Sequence, residues 1–372
     1  MDFYDYIEPY RSFDIGGFLS NVTDMDVRRI ISKGDLTPLD FLSLLSPAAS
    51  NHLEAMARRA NSITVRQFGK VIFMFAPLYL ANHCVNRCAY CGFNAGNKIK
   101  RAALTPNQVE KEAQSIAATG IRDILFLTGE SREISPPEYM AECTAILKKY
   151  FTNVALEVYP LETDEYSMLN KAGVDSFTMF QECYNEERYS QVHLGGPKRN
   201  YRFRLDAPER ACRAGFRNIN LGALLGLYEY ASEAFFTGLH VYYLQHKYDS
   251  CDFAVSLPRL CPHTGEFEPY STITDRDIVQ DILALRLFLP RAGITVSTRE
   301  KPEFRDNLIG LGVTKMSAGS STEVGGYANH TTSDQFSISD TRSVDEVVNA
   351  IRKRGYLPVF KDWQTLAEGD AI

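Results

Sequence analysis

The chain has 372 residues, of which 45% are hydrophobic and 23% charged, a composition that can bury a large core and excludes disorder as the default state. Its net charge of −6 argues against a nucleic-acid partner, because phosphate binding draws its affinity from clustered Lys and Arg. The opening residues MDFYDYIEPYRSFD lack the basic start and apolar stretch of a signal peptide, and no run of about 18 apolar residues follows. The expectation is therefore a soluble, cytoplasmic chain with no membrane contact. Eight unevenly spaced cysteines do not make a secreted disulfide framework; in a reducing compartment, clustered thiols suggest a metal instead.

Residues 1–68 are helix-like, with apolar side chains at three- and four-residue spacing over Asp24–Ser32, Pro38–Leu45 and Ala48–Gln67. Thr37 caps the second of these, with Pro38 at its first helical position. These residues are expected to form a helical extension that could act as a lid. From residue 69 the pattern changes to short β-rich segments: Val71–Tyr79, Asp123–Leu127, Val154–Val158, Ser176–Phe180, Asn218–Leu221, Phe253–Ser256, Thr295–Ser297 and Thr314–Ser317. Amphipathic stretches such as Asn107–Thr119, Thr163–Lys171 and Asp275–Pro290 separate them. Alternating strand and helix imply a parallel sheet, and eight repeats with right-handed crossovers imply a closed or nearly closed barrel, with a doubly wound open sheet as the competitor. The fold class is α/β, a (β/α)8 TIM-type barrel over residues 69–330, followed by a helical tail over 331–372.

One segment dominates the chemistry. Directly after the first strand stands His83-Cys84-Val85-Asn86-Arg87-Cys88-Ala89-Tyr90-Cys91-Gly92-Phe93, a C-x3-C-x2-C spacing. Three thiolates on one tight loop can each hold one iron of a four-iron cluster, which leaves the fourth iron open to a chelating ligand. A zinc site would want four closed ligands, and three cysteines within eight residues of loop are improbable as packing. Cys143, Cys183, Cys212, Cys251 and Cys261 are isolated and read as core residues.

The C-x3-C-x-Y-C-G-F pattern resembles the radical S-adenosylmethionine superfamily, in which an aromatic residue, here Tyr90, precedes the third cysteine. The resemblance implies a [4Fe-4S] cluster on Cys84, Cys88 and Cys91, with S-adenosylmethionine on the open iron. Leu127-Thr128-Gly129-Glu130-Ser131 looks like the turn that holds the amino group of that cofactor. Arg204, within the basic run Gly195–Asp206, resembles the arginine that meets its carboxylate. Glu157 and Gln181, at the ends of the third and fourth strands, point to the same barrel mouth, where barrel enzymes gather their chemistry. Gly222 allows close backbone approach.

Further along, Ser297-Thr298-Arg299-Glu300 and Ser317-Ala318-Gly319-Ser320 close the last two strands. The planar fork of Arg299, with the hydroxyl of Ser317, suits a substrate carboxylate; the competing reading is an ion pair of Arg299 with Glu300 or Glu323. With the cysteine loop and the Gly195–Leu227 block, these segments resemble the aromatic amino-acid lyase branch of the superfamily. That resemblance implies cleavage of the Cα–Cβ bond of L-tyrosine to 2-iminoacetate and p-cresol for the thiazole of thiamine, with a tryptophan lyase as runner-up and a non-catalytic metal-binding scaffold as the alternative of another class. It also implies thiazole synthase as recipient of the product and a flavodoxin- or ferredoxin-type electron donor. His263 and Glu266 are the candidates for a polar partner to a phenol ring.

Overall fold

The computed structural model describes residues 2–263, 266–328 and 332–361. Nine strands run parallel in one sheet: β1 (Val71–Ala81), β2 (Asp123–Thr128), β3 (Asn153–Glu157), β4 (Ser176–Glu182), β5 (Asn218–Ala223), β6 (Asp252–Ser256), β7 (Gly293–Val296), β8 (Lys315–Ser317) and β9 (Leu357–Val359). Strand β1 closes the ring: Phe73–Phe75 pair with β8 and Ala76–Ala81 with β2. The eight expected segments are the eight barrel strands, so the TIM-type (β/α)8 architecture holds.

The helices between strands start where the sequence supplies caps. Thr105 with Gln108, Thr274 with Asp277 and Ser343 with Glu346 each form a capping box, which satisfies backbone N–H groups that have no partner inside the helix. Thr37 caps Pro38–Leu44 in the same way, through Asp40.

Among the described residues, none of the N-terminal helices lines the barrel cavity. The helix Leu53–Phe68 packs on the barrel helix Asp275–Phe288, and the Phe41 ring stacks on Phe288 at 4.6 Å. Phe41 also fills the space left by Gly238, where a Cβ would lie 2.3 Å from the ring. Hydrophobic burial therefore fastens this extension to the outside wall. Residues 334–340, beyond β8, approach the mouth instead: Gln335 and Phe336 line the cavity there. The stretch expected as a helical tail supplies the helix Val344–Lys353 and then β9, which pairs with the first residues of β1.

Candidate active site

The barrel encloses a cavity of about 200 Å³. Alternate strand residues face it, as the two-residue period of a strand requires: Phe75, Pro77 and Tyr79 on β1, and Ser176, Thr178, Phe180 and Glu182 on β4. Many inward positions are polar. Asn220 donates to the Ser256 hydroxyl at 2.8 Å, and deeper in the barrel Lys315 meets Asp123 at 2.5 Å.

At the mouth, the cysteine loop is held from two sides. On one side it forms a short ladder with residues 192–195, in which Arg87 N donates to Gly195 O and Ala89 N to Val192 O, both at 2.9 Å. On the other, Val85 N donates to Glu130 O at 2.9 Å, and Asn86 Nδ2 donates to Glu130 Oε2 at 2.5 Å. Gly129 has no side chain because the loop leaves no room for one: a Cβ there would lie 2.3 Å from His83 O and 3.2 Å from Cys84 Cβ. The turn Thr128-Gly129-Glu130 is thus the floor on which the loop rests. Thr128 Oγ1 is buried without a hydrogen-bond partner among the described residues.

Tyr90 is buried and fixed in orientation. His193 Nδ1 lies 2.8 Å from the Tyr189 carbonyl, which can only accept, so Nδ1 carries the ring proton. Burial holds this imidazole far below its usual pKa. Nε2 is therefore an acceptor, and the Tyr90 hydroxyl donates to it at 2.7 Å.

Beside the loop lies a compact charge cluster. Lys198 Nζ sits 2.7 Å from Glu182 Oε1, and Arg204 Nη2 lies 3.4 Å from the same oxygen. Glu182 has a left-handed backbone, φ 70°, a conformation that costs energy in a non-glycine residue and recurs at functional sites. Burial raises its pKa, but Lys198 and Arg204 outweigh that and hold the carboxyl below the usual range. Glu157 faces the same cavity with the opposite balance. Burial, joined by the charge of Glu182, pushes it up to about 7 against the pull of Arg299, Arg204 and Lys198.

Arg299 and Ser317 both line the cavity. The Arg299 guanidinium lies 3.4 Å over the Phe336 ring, a cation–π contact, and makes no side-chain hydrogen bond among the described residues. Glu300 is taken by Arg259, whose Nε lies 3.0 Å from both carboxylate oxygens. The Ser317 hydroxyl accepts from Thr298 N at 3.1 Å. Thr298 O in turn accepts from Ser339 N and Asp340 N at 2.9 and 3.0 Å, and the fully buried Arg305 bridges Asp340 to Ser317 O. This ring of bonds ties the ends of β7 and β8 to the segment crossing the mouth.

Five sequence candidates stand outside the lining of the cavity. Gln181 is out of phase with the inward residues Phe180 and Glu182, and its buried amide has no partner among the described residues. Gly222 answers a packing need: a Cβ there would meet Ser256 O at 2.3 Å and the Phe180 ring at 2.9 Å. Among the described residues of the loop after β6 the lining ends at Cys261, so His263 and the exposed Glu266 stand beyond it. Arg204 is not a lining residue; its Nε donates to Phe180 O at 2.7 Å.

Tyr79, Lys198, Asn220 and Gln335 line the cavity and were not singled out in the sequence. The alternation Phe75, Pro77, Tyr79 carried a signal for Tyr79; Gln335 comes from a segment with none. Cys261 also lines the cavity, with its sulfur 3.7 Å from the Arg259 carbonyl.

A closed parallel barrel with a three-cysteine loop at its mouth defines a radical S-adenosylmethionine enzyme, and residues 78–234 match the model of the Radical SAM superfamily. Residues 256–357 match the Biotin and Thiamin Synthesis associated domain. Over 354 residues the chain is 39% identical to 2-iminoacetate synthase of Escherichia coli (strain K12), covering 95% of this chain and 94% of that protein. It is 38% identical over the same length to the enzyme of that name from Salmonella typhimurium. The crystal structure of HydG, a maturase of the [FeFe]-hydrogenase, superposes with a TM-score of 0.89 at 31% identity, over 93% of this chain and 79% of that one. The chain belongs to the 2-iminoacetate synthase family of radical S-adenosylmethionine lyases.

Membership implies a four-iron cluster, and the residues fit one. The Cys88 thiol is buried and pushed up to about 12, with the charges of Cys84 and Cys91 adding to the effect of burial and Lys198 opposing it. The three sulfurs thus share one electrostatic environment, in which bound iron would compensate the thiolates. No three His, Cys, Asp or Glu side chains among the described residues converge on a single-ion site. In a four-iron cluster each thiolate binds a different iron.

Proposed function

We propose that this enzyme cleaves the Cα–Cβ bond of L-tyrosine to 2-iminoacetate and p-cresol, the step that supplies the thiazole of thiamine. The observation that carries the reading is that one cavity is lined both by Tyr90 and Cys91 of the cysteine loop and by Arg299 and Ser317. An amino acid held there by its carboxylate places its amine inside the same enclosure as the loop.

Cys84, Cys88 and Cys91 would hold the cluster, leaving one iron to S-adenosylmethionine. When bound and reduced, that pair would supply the radical chemistry needed to take a hydrogen from the tyrosine amine. The protein contributes position. Arg299 and Ser317 bind the carboxylate, while Thr128, Gly129, Glu130, Glu182 and Arg204 surround the cofactor side of the loop. The barrel wall and residues 334–340 exclude water that would quench a radical. Glu157, pushed up to about 7 chiefly by burial, is able to hold or release a proton near neutral pH. Asn220 and Ser256 replace His263 and Glu266 as polar partners for the phenol, because they face the cavity and the earlier candidates do not.

The electron reaches the site from an acidic flavodoxin- or ferredoxin-type protein. Supporting this, residues 83–101 and 192–205 carry no Asp or Glu, within a chain of net charge −6, and Arg87, Lys98, Lys100 and Arg199 are exposed there beside Val85 and Leu194. Such a surface attracts an acidic partner. The imine product hydrolyses readily, which favours direct transfer to thiazole synthase. No helix among the described residues is long and apolar enough to cross a membrane.

The test is anaerobic reconstitution followed by incubation with S-adenosylmethionine, reductant and either tyrosine or tryptophan. Release of p-cresol from tyrosine supports the reading; an indolic product from tryptophan, with tyrosine inert, overturns it.

A further inference from the structure

The cysteine loop has a third neighbour, from the far end of the chain. Gly92 packs so closely on residues 334–335 that a Cβ would lie 2.4 Å from Gln335 O and 3.1 Å from Asp334 O. The backbone of Gln335 is thus pressed against the residue that follows Cys91. Its side chain turns toward that cysteine, with Nε2 3.8 Å from Cys91 Sγ, while Oε1 lies 2.7 Å from the hydroxyl of the buried Tyr79. Tyr79 is itself held edge-on by the Phe93 ring at 5.8 Å. Phe93 belongs to the cysteine loop, so the contact closes on itself.

The chemistry assigns the direction of each bond. A cysteine sulfur bound to iron has lost its proton and can only accept, so the amide must present N–H to it. The amide oxygen is then left for Tyr79, whose hydroxyl donates to it. Tyr79 cannot reverse these roles without turning the amide oxygen onto the sulfur, where the two would repel.

We propose that Gln335 tunes the cluster through an N–H···S bond to Cys91, and that Tyr79 is the positioning residue that aims its amide. Hydrogen bonds to a cluster's sulfurs are among the terms that set its reduction potential, because they stabilise the more negatively charged, reduced state. Cys91 therefore has a donor supplied by the segment that also carries Phe336 over Arg299. This inference rests on the reading of Cys91 as a cluster ligand.

The test is a potentiometric titration of the reconstituted holoprotein, followed by the electron paramagnetic resonance of the reduced cluster. Gln335→Leu and Gln335→Glu are expected to shift the midpoint to more negative potential. Tyr79→Phe, which removes one hydroxyl and leaves the packing, shifts it in the same direction by less, and adds nothing in the Gln335→Leu background. Iron and sulfide contents stay at the wild-type level in Tyr79→Phe, so that variant decides the matter if the Gln335 variants fail to load. Midpoints that all coincide with wild type overturn this inference alone. A wild-type protein that takes up no four-iron cluster overturns the functional reading on which it stands.

Discussion

Glu300 is bound by Arg259, not by its sequence neighbour Arg299. Arg259 reaches it across from the loop after β6 with Nε 3.0 Å from both carboxylate oxygens, and Asp275 Oδ1 lies 2.6 Å from Nη2 of the same guanidinium. The ion pair that would have occupied Arg299 is made by another residue, which leaves Arg299 over Phe336 and facing the cavity. Replacing Arg299 by Ala is therefore expected to weaken tyrosine binding by about 1.5–3 kcal/mol, roughly ten- to 150-fold, with the cluster intact. Equilibrium binding of tyrosine to the loaded protein, beside its iron content, checks this; unchanged affinity removes Arg299 from the substrate site.

Arg259 and Arg299 should separate cleanly. Arg259→Ala strands Glu300, only 5% exposed, without its counter-charge. Removing one member of a buried pair costs about 3–5 kcal/mol, so this variant is expected to lower the unfolding midpoint in urea markedly. Arg299→Ala should leave that midpoint close to wild type. Equal midpoints for the two would contradict the assignment of the Glu300 pair.

How the sequence exposes a feature depends on whether the feature is local. The three cysteines and Tyr90 lie within eight residues, and each barrel strand is a contiguous β-rich run, so both were legible. Strand β9 has three residues, Leu357–Val359, too few to show a period. Lys198, Asn220 and Gln335 become site residues only when strands and loops distant in the chain are brought together. Gln181 failed for a different reason: proximity to a strand end does not reveal which way the side chain points, and the register shift between Phe180 and Glu182 hides the phase further.

Gly129 offers a test of the loop's support that bypasses the ligands. Gly129→Ala would set a Cβ 2.3 Å from the His83 carbonyl, a backbone atom that cannot swing aside as a side-chain tip could. Overpacking of this kind costs about 1–3 kcal/mol. Because the clash is with the residue preceding Cys84, the loss should appear as reduced iron uptake in a protein whose far-ultraviolet circular dichroism is unchanged. Full iron content in Gly129→Ala would show that the loop has slack the structure does not display.

Among the cysteines lining the cavity, Cys261 differs from those on the loop. Its sulfur faces the Arg259 carbonyl of its own loop at 3.7 Å. Cys261→Ser is expected to retain the four-iron cluster and its cofactor-dependent spectral change, while Cys88→Ala loses both. Loss of the cluster in Cys261→Ser would make it a fourth protein ligand and close the iron to which S-adenosylmethionine must bind.

The barrel wall carries a stability cost that depends on pH. Asp281, on the helix Asp275–Phe288, is fully buried, and neither carboxylate oxygen has a hydrogen-bond partner among the described residues. Burial pushes its pKa up to about 8 from an ordinary value of 3.8. The folded chain therefore holds this proton more tightly than the unfolded chain does. The resulting stabilisation is complete below the ordinary aspartate range, is lost as pH climbs towards 8, and changes no further above it. Asp281→Asn keeps the shape and removes the charge. At about pH 8 it is expected to be more stable than wild type by at least about 1–3 kcal/mol, the penalty of an unsatisfied buried polar group, and that gain should shrink steadily towards about pH 4. Denaturant unfolding at several pH values measures the difference directly; parallel curves for the two proteins would mean that Asp281 finds a partner or solvent in the folded chain.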